Sequence, residues 1–258
     1  MTNRDLKIII VILCCCLVLT SVWAIVASSL LLAGVIKDDE NDIDFSHLTY
    51  LALGDSITYG YDSSQNGQAM DKPYCTSVGK LLKLKATYNY GISGSTVSTG
   101  VGSYEAMCAR YATMRDDADI ISVMGGVNDF GRGVPFGNLD DTDTTTFCGA
   151  LNVLASGLKE KYPNALIFFM TPLKWQGYEG LILCDATLDD FRAAVKAICA
   201  NYDIPVLDTA VLADYATEYD AAEYTGDGLH PSQKFNTEVL APLIAEFIRQ
   251  NYDFSTNG

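Results

Sequence analysis

Apolar residues along this chain cluster into short runs that are separated by amphipathic stretches. Two runs, DIISVMGG (119–126) and ALIFFMTP (165–172), are almost continuously apolar, which is typical of strands buried on both faces of a sheet. Three shorter runs predict further strands at residues 48–53, 87–93 and 204–208. Apolar residues at helical spacing predict helices at residues 75–84, 147–163, 188–202 and 237–252, the last with Pro242 as a point of bending. This alternation predicts an α/β domain with a parallel sheet and helices on both faces.

The beginning of the chain has a different pattern. From Ile8 to Ile36 there are 29 residues without a charged side chain, whereas about 20 are enough for a helix to cross the hydrocarbon core of a bilayer. A secretory signal peptide has an apolar region of roughly 7–15 residues, so the length favours an uncleaved transmembrane anchor. The small residues Ala27-Ser28-Ser29 keep a cleaved signal peptide as the alternative.

The charges that flank this apolar segment predict its orientation. Arg4 and Lys7 precede it and the acidic stretch KDDENDID follows it, which indicates a cytoplasmic N-terminus and an extracellular C-terminal portion. The sequence therefore predicts a single-pass protein of the cell membrane, or a secreted protein if the segment is cleaved. It divides into a short cytoplasmic N-terminus and anchor (1–37), an acidic linker (38–46) and one large domain (47–258).

Charge and cysteine content exclude several kinds of partner. The formal net charge of −15 argues against nucleic acid or an anionic lipid surface as the main partner and fits neutral or cationic material. No C-x-x-C pair occurs among the five cysteines beyond the anchor, so neither a zinc site nor any other metal or cofactor is predicted. At most two disulfides could form, with the pairing left open, among Cys75, Cys108, Cys148, Cys184 and Cys199.

Polar blocks follow four of the predicted strands. The first strand leads into GDSIT (54–58), the second into NYGISGST (89–96), and the third into GVND (126–129). The last strand leads through an acidic segment into DGLHP (227–231). Because ligand sites in parallel α/β sheets lie outside the carboxyl ends of the strands, all four blocks are expected at one edge of the sheet.

These blocks contain the residue types of a nucleophilic site. A serine hydroxyl such as Ser56 needs a nearby base to take its proton, and the chain has two histidines. His47 precedes the first strand and so belongs to the opposite end of the sheet, which leaves His230, with Asp227 placed to accept the other ring N–H. Gly94 and Asn128 could donate hydrogen bonds to a developing oxyanion. Each of these residues alone would be an ordinary turn or surface residue, and their joint occurrence favours a nucleophilic site.

The same four blocks resemble those of the SGNH hydrolases, also called the GDSL esterase/lipase family, from about Leu48 to Ile248. The resemblance implies a flavodoxin-like three-layer α/β/α fold with a parallel sheet of about five strands, and a serine-esterase mechanism. It implies that Ser56 is the nucleophile, His230 the base and Asp227 its partner. The oxyanion hole would be formed by Ser56, Gly94 and Asn128, with Gly94 preferred to Gly91 by its place in the second block.

The expected activity is hydrolysis of short acyl esters, acetyl above all, through an acyl-enzyme intermediate. Carbohydrate is the expected substrate, since the domain is acidic and no apolar lid segment is evident. Aromatic residues on loops expected to rim the cleft could stack on sugar rings or, equally, only cover these loops: Tyr59, Tyr61, Phe130, Trp175 and Tyr178. Alternatives are a lysophospholipase or thioesterase acting near the membrane, an acyltransferase, and a non-catalytic carbohydrate-binding module. Asp55 and Asp129 are expected to bind loop amides.

Overall fold

The computed structural model describes residues 43–65, 67–101, 105–212 and 225–254. The predicted anchor, and the acidic linker up to residue 42, lie outside the described residues. Across the described ranges, no helix has the length and hydropathy that a bilayer crossing requires. The division into anchor, linker and domain therefore stays a prediction.

A five-stranded parallel sheet forms the centre of the domain. Its strands are β1 (Thr49–Gly54), β2 (Ala86–Gly91), β3 (Ile120–Met124), β4 (Leu166–Met170) and β5 (Val206–Leu207). They lie in the order β2-β1-β3-β4-β5 and every neighbouring pair is parallel. The predicted parallel α/β fold is confirmed, and the strand order is that of flavodoxin. The order reverses between β1 and β3, which is where such sheets open a crevice for ligands.

Helices follow the strands along the chain. The first four are α1 (Ser56–Tyr59), α2 (Tyr74–Leu81), α3 (Met107–Arg110) and α4 (Val127–Gly131). The next four are α5 (Phe147–Lys161), α6 (Leu188–Ala200), α7 (Gln233–Phe235) and α8 (Ala241–Asn251). Short 3₁₀ turns occupy Ser63–Gln65, Tyr111–Thr113 and Thr209–Leu212, and a π-helical turn spans Asn236–Leu240. The four long predicted helices correspond to α2, α5, α6 and α8.

The core has two halves, one on each face of the sheet. Successive residues of β1 point to opposite faces, so Leu51 and Leu53 join one cluster while Tyr50 and Ala52 join the other. The first cluster contains the apolar faces of α5 and α6, and the second contains those of α2 and α8. The sheet is therefore covered by helices on both sides, as the near-continuous apolar strands predict.

The C-terminal helix differs from the prediction of one element bent at Pro242. The irregularity comes earlier, in the π-helical turn Asn236–Leu240. Pro242 lies in the first turn of α8, directly after this π-helical turn, and the backbone stays helical at the junction, at Leu240 and Ala241. Asn236 is fully buried at the start of the π-helical turn, and its Oδ1 accepts a hydrogen bond from the backbone N–H of Tyr74 at 3.1 Å.

Both ends of the described domain meet at the amino end of the sheet. Phe45, just before β1, contacts Tyr252 and Phe254 with ring centroids 6.0 and 5.3 Å apart. His47 packs on Phe254 at the same place, 6.5 Å between centroids. This end is separated from the carboxyl end of β1 by six residues of strand, or about 20 Å. His47 is therefore far from Ser56, as the sequence predicts.

All five cysteines beyond the predicted anchor are free thiols. Four of them are buried, and burial raises the pKa of Cys75 to about 11 and that of Cys199 to about 12. Buried cysteines with a raised pKa behave as small apolar side chains, because the reactive thiolate is disfavoured. Their abundance in the core accounts for the cysteine content without disulfides.

Candidate active site

The tight turn after β1 presents Ser56 at the carboxyl end of the sheet. Asp55 caps α1, since its Oδ1 accepts the N–H of Ile57 at 2.9 Å, and Ser56 is the first residue of that helix. Gly54 must lack a side chain, because a Cβ there would lie 2.0 Å from the Oγ1 of Thr58. Ser56 is only 6% exposed. The turn thus fixes the hydroxyl in a sheltered position beside the crevice.

Three of the predicted site residues form one hydrogen-bonded chain. Ser56 Oγ lies 2.8 Å from His230 Nε2, although the residues are 174 positions apart. His230 Nδ1 lies 2.6 Å from Asp227 Oδ2. The other carboxylate oxygen, Asp227 Oδ1, accepts the backbone N–H groups of Leu229 and His230 at 3.0 and 2.8 Å. Asp227 therefore holds both the ring and the backbone of the histidine.

The ionisation of Asp227 fits this arrangement. Partial burial acts to raise its pKa, but hydrogen bonds from the His230 ring and from the N–H groups of His230 and Leu229 outweigh burial and hold the pKa below its usual value. An ionised Asp227 favours the tautomer of His230 with the proton on Nδ1. That tautomer leaves the lone pair of Nε2 facing Ser56, as a base for the serine proton requires.

Unused donors lie on the blocks around Ser56. Among the residues that the structure describes, the backbone N–H groups of Ser56 and Gly94 have no acceptor. The Gly91 N–H donates to Asn89 Oδ1 at 2.8 Å, and a Cβ on Gly91 would lie 2.0 Å from the Tyr59 nitrogen. Gly91 is thus occupied in packing β2 against α1, which favours Gly94 as the donor of this block.

The side-chain amide of Asn128 joins the second and third blocks. Asn128 follows Gly126, whose positive φ of 112° begins α4, and its Nδ2 donates to the Ser95 carbonyl at 3.0 Å. One of its two N–H groups is used in this bond, and the second is free for a ligand. Asn128 is in this way fixed next to the chain segment that carries Gly94.

Arg110 is a residue of the site that sequence reasoning missed. Its Nη1 donates to the Tyr90 carbonyl and its Nη2 to the Gly54 carbonyl, both at 2.5 Å. Burial lowers the pKa of Arg110 to about 10, although Glu105 and Asp55 act against this. The guanidinium joins the carboxyl ends of β1 and β2 and so positions the segments that carry Ser56 and Gly94. Its partners are backbone carbonyls, which leave no pattern in the sequence.

Two buried carboxyls flank the site, as predicted. Asp129 is fully buried on α4, and its two oxygens accept the N–H groups of Val97 and Ser98 at 2.8 and 3.0 Å. Asp55 is also fully buried, and its Oδ2 has no hydrogen-bond partner among the described residues. The prediction that these residues bind loop amides is confirmed for Asp129, whereas Asp55 binds the N–H of Ile57 in helix α1. The unpaired oxygen of Asp55 makes ionisation of this carboxyl costly.

We expect the stability of the protein to report the titration of Asp55. Burial, with a smaller contribution from Asp129, raises the pKa of Asp55 from 3.8 to about 7, despite the Ile57 N–H and Arg110. Between these two pH values the folded state keeps a proton that the unfolded state has released. The stabilisation that this proton gives to the folded state is therefore complete below pH 3.8, falls as pH rises, and is lost once pH has passed about 7. Asp55→Asn cannot titrate, and its free energy of unfolding should rise relative to wild type by up to about 1.4 kcal/mol per pH unit.

Urea unfolding from pH 4.5 to 8 measures this difference. The control is Asp143→Asn, because hydrogen bonds from Thr145 hold the pKa of this exposed carboxyl below its usual value, outside the pH window. Asp129 is present in every protein compared, so its own titration largely cancels. A flat difference between Asp55→Asn and wild type would show that Asp55 is ionised throughout.

Aromatic residues border the site, but not all those predicted. The Tyr61 ring packs on the His230 ring with centroids 4.4 Å apart, and Trp175 stacks on Tyr178 at 3.8 Å. The prediction for Phe130 is wrong, because this side chain is fully buried and packs on Phe191 at 5.6 Å. Phe130 lies on the face of α4 that turns into the core. Tyr61, which the sequence places at the rim of the cleft, contacts the site residue His230 directly.

The loop after β4 connects two parts of the site. Arg192, only 3% exposed on α6, donates to the carbonyls of Pro172 and Leu173 and to both oxygens of Glu179. The loop so held contributes the Gln176 N–H, which donates to the Gly228 carbonyl at 2.9 Å, between Asp227 and His230. Arg192 thus supports the turn that carries the histidine.

Comparisons with known proteins agree with this geometry. Residues 52–236 match the model of the GDSL-like Lipase/Acylhydrolase family. The chain is similar to the crystal structure of a protein from Lactobacillus plantarum, with 32% identity and a TM-score of 0.66, over 81% of this chain and 99% of that one. No curated protein matches the chain.

Two further crystal structures share the fold. A possible lipase from Chitinophaga pinensis is 25% identical with a TM-score of 0.63, over 79% of this chain and 98% of that one. The lipase/acylhydrolase from Enterococcus faecalis is 20% identical with a TM-score of 0.57, over 80% and 96%, a likeness of fold.

Proposed function

The chain belongs to the GDSL-like lipase/acylhydrolase family of ester hydrolases, and we propose that it hydrolyses short acyl esters, above all O-acetyl esters of carbohydrate, with Ser56 as nucleophile. The observation that carries the proposal is the continuous hydrogen-bonded chain from Ser56 through His230 to Asp227. A serine hydroxyl becomes nucleophilic when such a base accepts its proton during attack.

The proposed reaction has two steps. In the first, His230 Nε2 takes the proton of Ser56 Oγ as the oxygen attacks the ester carbonyl, and Asp227 stabilises the imidazolium. The negative charge on the carbonyl oxygen is received by the N–H groups of Ser56 and Gly94 and by the amide of Asn128. His230 then gives the proton to the leaving alcohol, and an acyl-enzyme remains. In the second step His230 activates a water that releases the acid.

Carbohydrate as the substrate is supported by the aromatic surfaces beside the catalytic chain. Tyr61 lies against His230, and the stacked Trp175 and Tyr178 lie on the loop that reaches the His230 turn. Aromatic faces bordering a cleft suit sugar rings, which present apolar C–H surfaces. The acidic charge of the chain suits a neutral polymer better than an anionic surface.

A lipid ester is the second candidate, and one feature of the structure favours it. The loop after β4 exposes Leu181 and Ile182, with 45% and 71% of their surface accessible. Sequence reasoning expected no apolar segment of this kind near the site. Exposed apolar residues beside a hydrolase site could hold an acyl chain, as a lysophospholipase or thioesterase requires.

For the location of the protein we propose the cell membrane, with the catalytic domain outside and residues 8–36 as the anchor. The proposal is supported by the 29 uncharged residues and by the basic and acidic flanks of this segment. A secreted protein, cleaved after the small residues near position 28, is the alternative.

Nitrophenyl esters of increasing chain length test the proposed activity. With the purified full-length chain we expect acetate to be turned over faster than butyrate, and butyrate faster than palmitate. Ser56→Ala should abolish turnover, whereas Ser77→Ala, an equally buried serine of α2 with 8% exposure, should not. Preference for palmitate would favour the lipid candidate. Activity that survives in Ser56→Ala contradicts the proposal. Absence of any turnover contradicts it as well and would favour the non-catalytic binding module.

The natural polymer is identified by testing which acetylated polymer the protein releases acetate from. Acetylated xylan and peptidoglycan are the polymers to compare, with free acetate as the product measured. The same assay, run with an added sugar acceptor, separates hydrolysis from acyl transfer, because a transferase would form the acetylated acceptor instead of acetate.

A further inference from the structure

Arg132 lies beside the candidate oxyanion hole. It ends α4, and its backbone N–H donates to the Asn128 carbonyl at 3.1 Å, so the two residues are one helical turn apart on the same face. Its guanidinium reaches back over the second block, because Nη2 lies 2.8 Å from where a Cβ on Gly94 would be. Gly94 has φ of +78° and no side chain, which leaves room for this approach.

The guanidinium of Arg132 has no partner within the described residues. The other arginines there are all engaged: Arg110 by carbonyls, Arg115 by Asp117, Arg192 by Glu179 and Asp189, and Arg249 by Glu246. Arg132 is exposed, and its side chain makes no hydrogen bond or ion pair in that part of the chain. Acidic side chains outnumber basic ones by 32 to 17, so an unpaired arginine is unusual here.

A cation at this position changes which substrates can approach. The acidic domain repels anions at long range, but at physiological salt charges further away than about 8 Å are largely screened. Near the ester carbonyl the local charge therefore decides which substrates are attracted. A guanidinium without a partner among the described residues presents a planar fork that fits a carboxylate or phosphate.

We propose that Arg132 binds a carboxylate or phosphate of the substrate, placed close to the ester that Ser56 attacks. The inference rests on the proposed function and narrows its substrate class to acyl esters that carry an anionic group. This group can belong to the acyl part or to the alcohol, such as an acidic sugar. Arg132 is then a specificity-determining residue, and the neutral ester alone does not need it.

Two matched pairs of esters test this on the full-length chain. Mono-nitrophenyl succinate is compared with nitrophenyl butyrate for the acyl side, and para-acetoxybenzoate with its methyl ester for the alcohol side. Arg132→Gln should lower kcat/KM for at least one anionic ester about tenfold or more, and leave its neutral partner unchanged. Arg132→Lys should keep part of the preference, and Arg249→Gln on α8 should keep all of it. Comparing variants cancels the intrinsic reactivity of each ester.

Equal loss on the anionic and neutral esters would overturn the inference, because Arg132 would then act on the oxyanion or the fold. The inference would be overturned as well if Arg132→Gln left the ratio of kcat/KM between the anionic and the neutral ester unchanged in both pairs. Binding is measured separately in Ser56→Ala by titration with glutarate, followed by tryptophan fluorescence, because the ring of Trp175 packs near Gly131. A saturable change that Arg132→Gln abolishes supports the anion site even without turnover, and no change contradicts it. Absence of Ser56-dependent turnover contradicts only the proposed function.

Discussion

Replacing His230 with alanine is expected to lower kcat for ester hydrolysis by about 10⁵- to 10⁶-fold, with little change in KM. Within the described part of the chain, Ser56 Oγ has one base in reach, the Nε2 of His230 at 2.8 Å, and without it the hydroxyl keeps its proton during attack. The loss corresponds to about 7–8 kcal/mol of barrier, as large as removal of the nucleophile, because the two groups act as a unit. Single-turnover kinetics with nitrophenyl acetate measure the acylation step directly.

The chain offers a matched control in its second histidine. His47 is exposed at the amino end of the sheet, against Phe254, and His47→Ala should leave kcat unchanged. A double variant of Ser56 and His230 should be no slower than either single variant, since each alone removes the same function. A loss for His230→Ala below about tenfold would assign the base to another group.

Asp227→Asn is expected to lower kcat by about 10⁴-fold while the fold is retained. The amide can still accept the N–H groups of Leu229 and His230 through its oxygen, so the turn keeps its shape. Its NH₂ then faces His230 Nδ1 and can only donate, which forces the ring proton onto Nε2. Nε2–H cannot accept the serine proton, so the loss is in kcat more than in KM.

Asp208→Asn is the control for this change. Its carboxylate is also paired, with Lys196, and has 34% of its side chain exposed, close to the 38% of Asp227. It follows β5, and its partners are Thr171, Lys196 and the Ala210 N–H. Asp208→Asn should keep wild-type kcat. If Asp227→Asn were as active as Asp208→Asn, the histidine would have to be oriented by another group.

The strands and the central residues of the site could be predicted from the sequence for physical reasons. Strands buried on both faces must be continuously apolar, and β3 and β4 were recognised on that ground. His230 could be assigned by topology, because the other histidine, His47, precedes the first strand and so lies at the amino end of the parallel sheet, away from the site. β5 is shorter than predicted, as only Val206–Leu207 pair with β4.

The supporting residues could not be predicted in this way. Arg110 binds backbone carbonyls at the ends of β1 and β2, and Arg192 binds those of the loop after β4. Asn236 joins the carbonyls after His230 to the start of α2. Such partners exist only once the fold has formed, so no spacing or residue pair indicates them. The prediction for Phe130 is wrong for another reason. The orientation of a short helix decides which of its residues face the cleft, and α4 turns Phe130 inward.

The aromatic contact between Phe45, Tyr252 and Phe254 has a practical consequence for handling the enzyme. Because both ends of the described domain lie at the pole opposite Ser56, a bead, a surface or a fused protein attached at either end leaves the crevice facing the solution. The proximity of the ends also suits a circular permutant, in which a short linker joins them and new termini open in an exposed loop. An immobilised catalyst built on this domain can therefore be oriented by its attachment point alone.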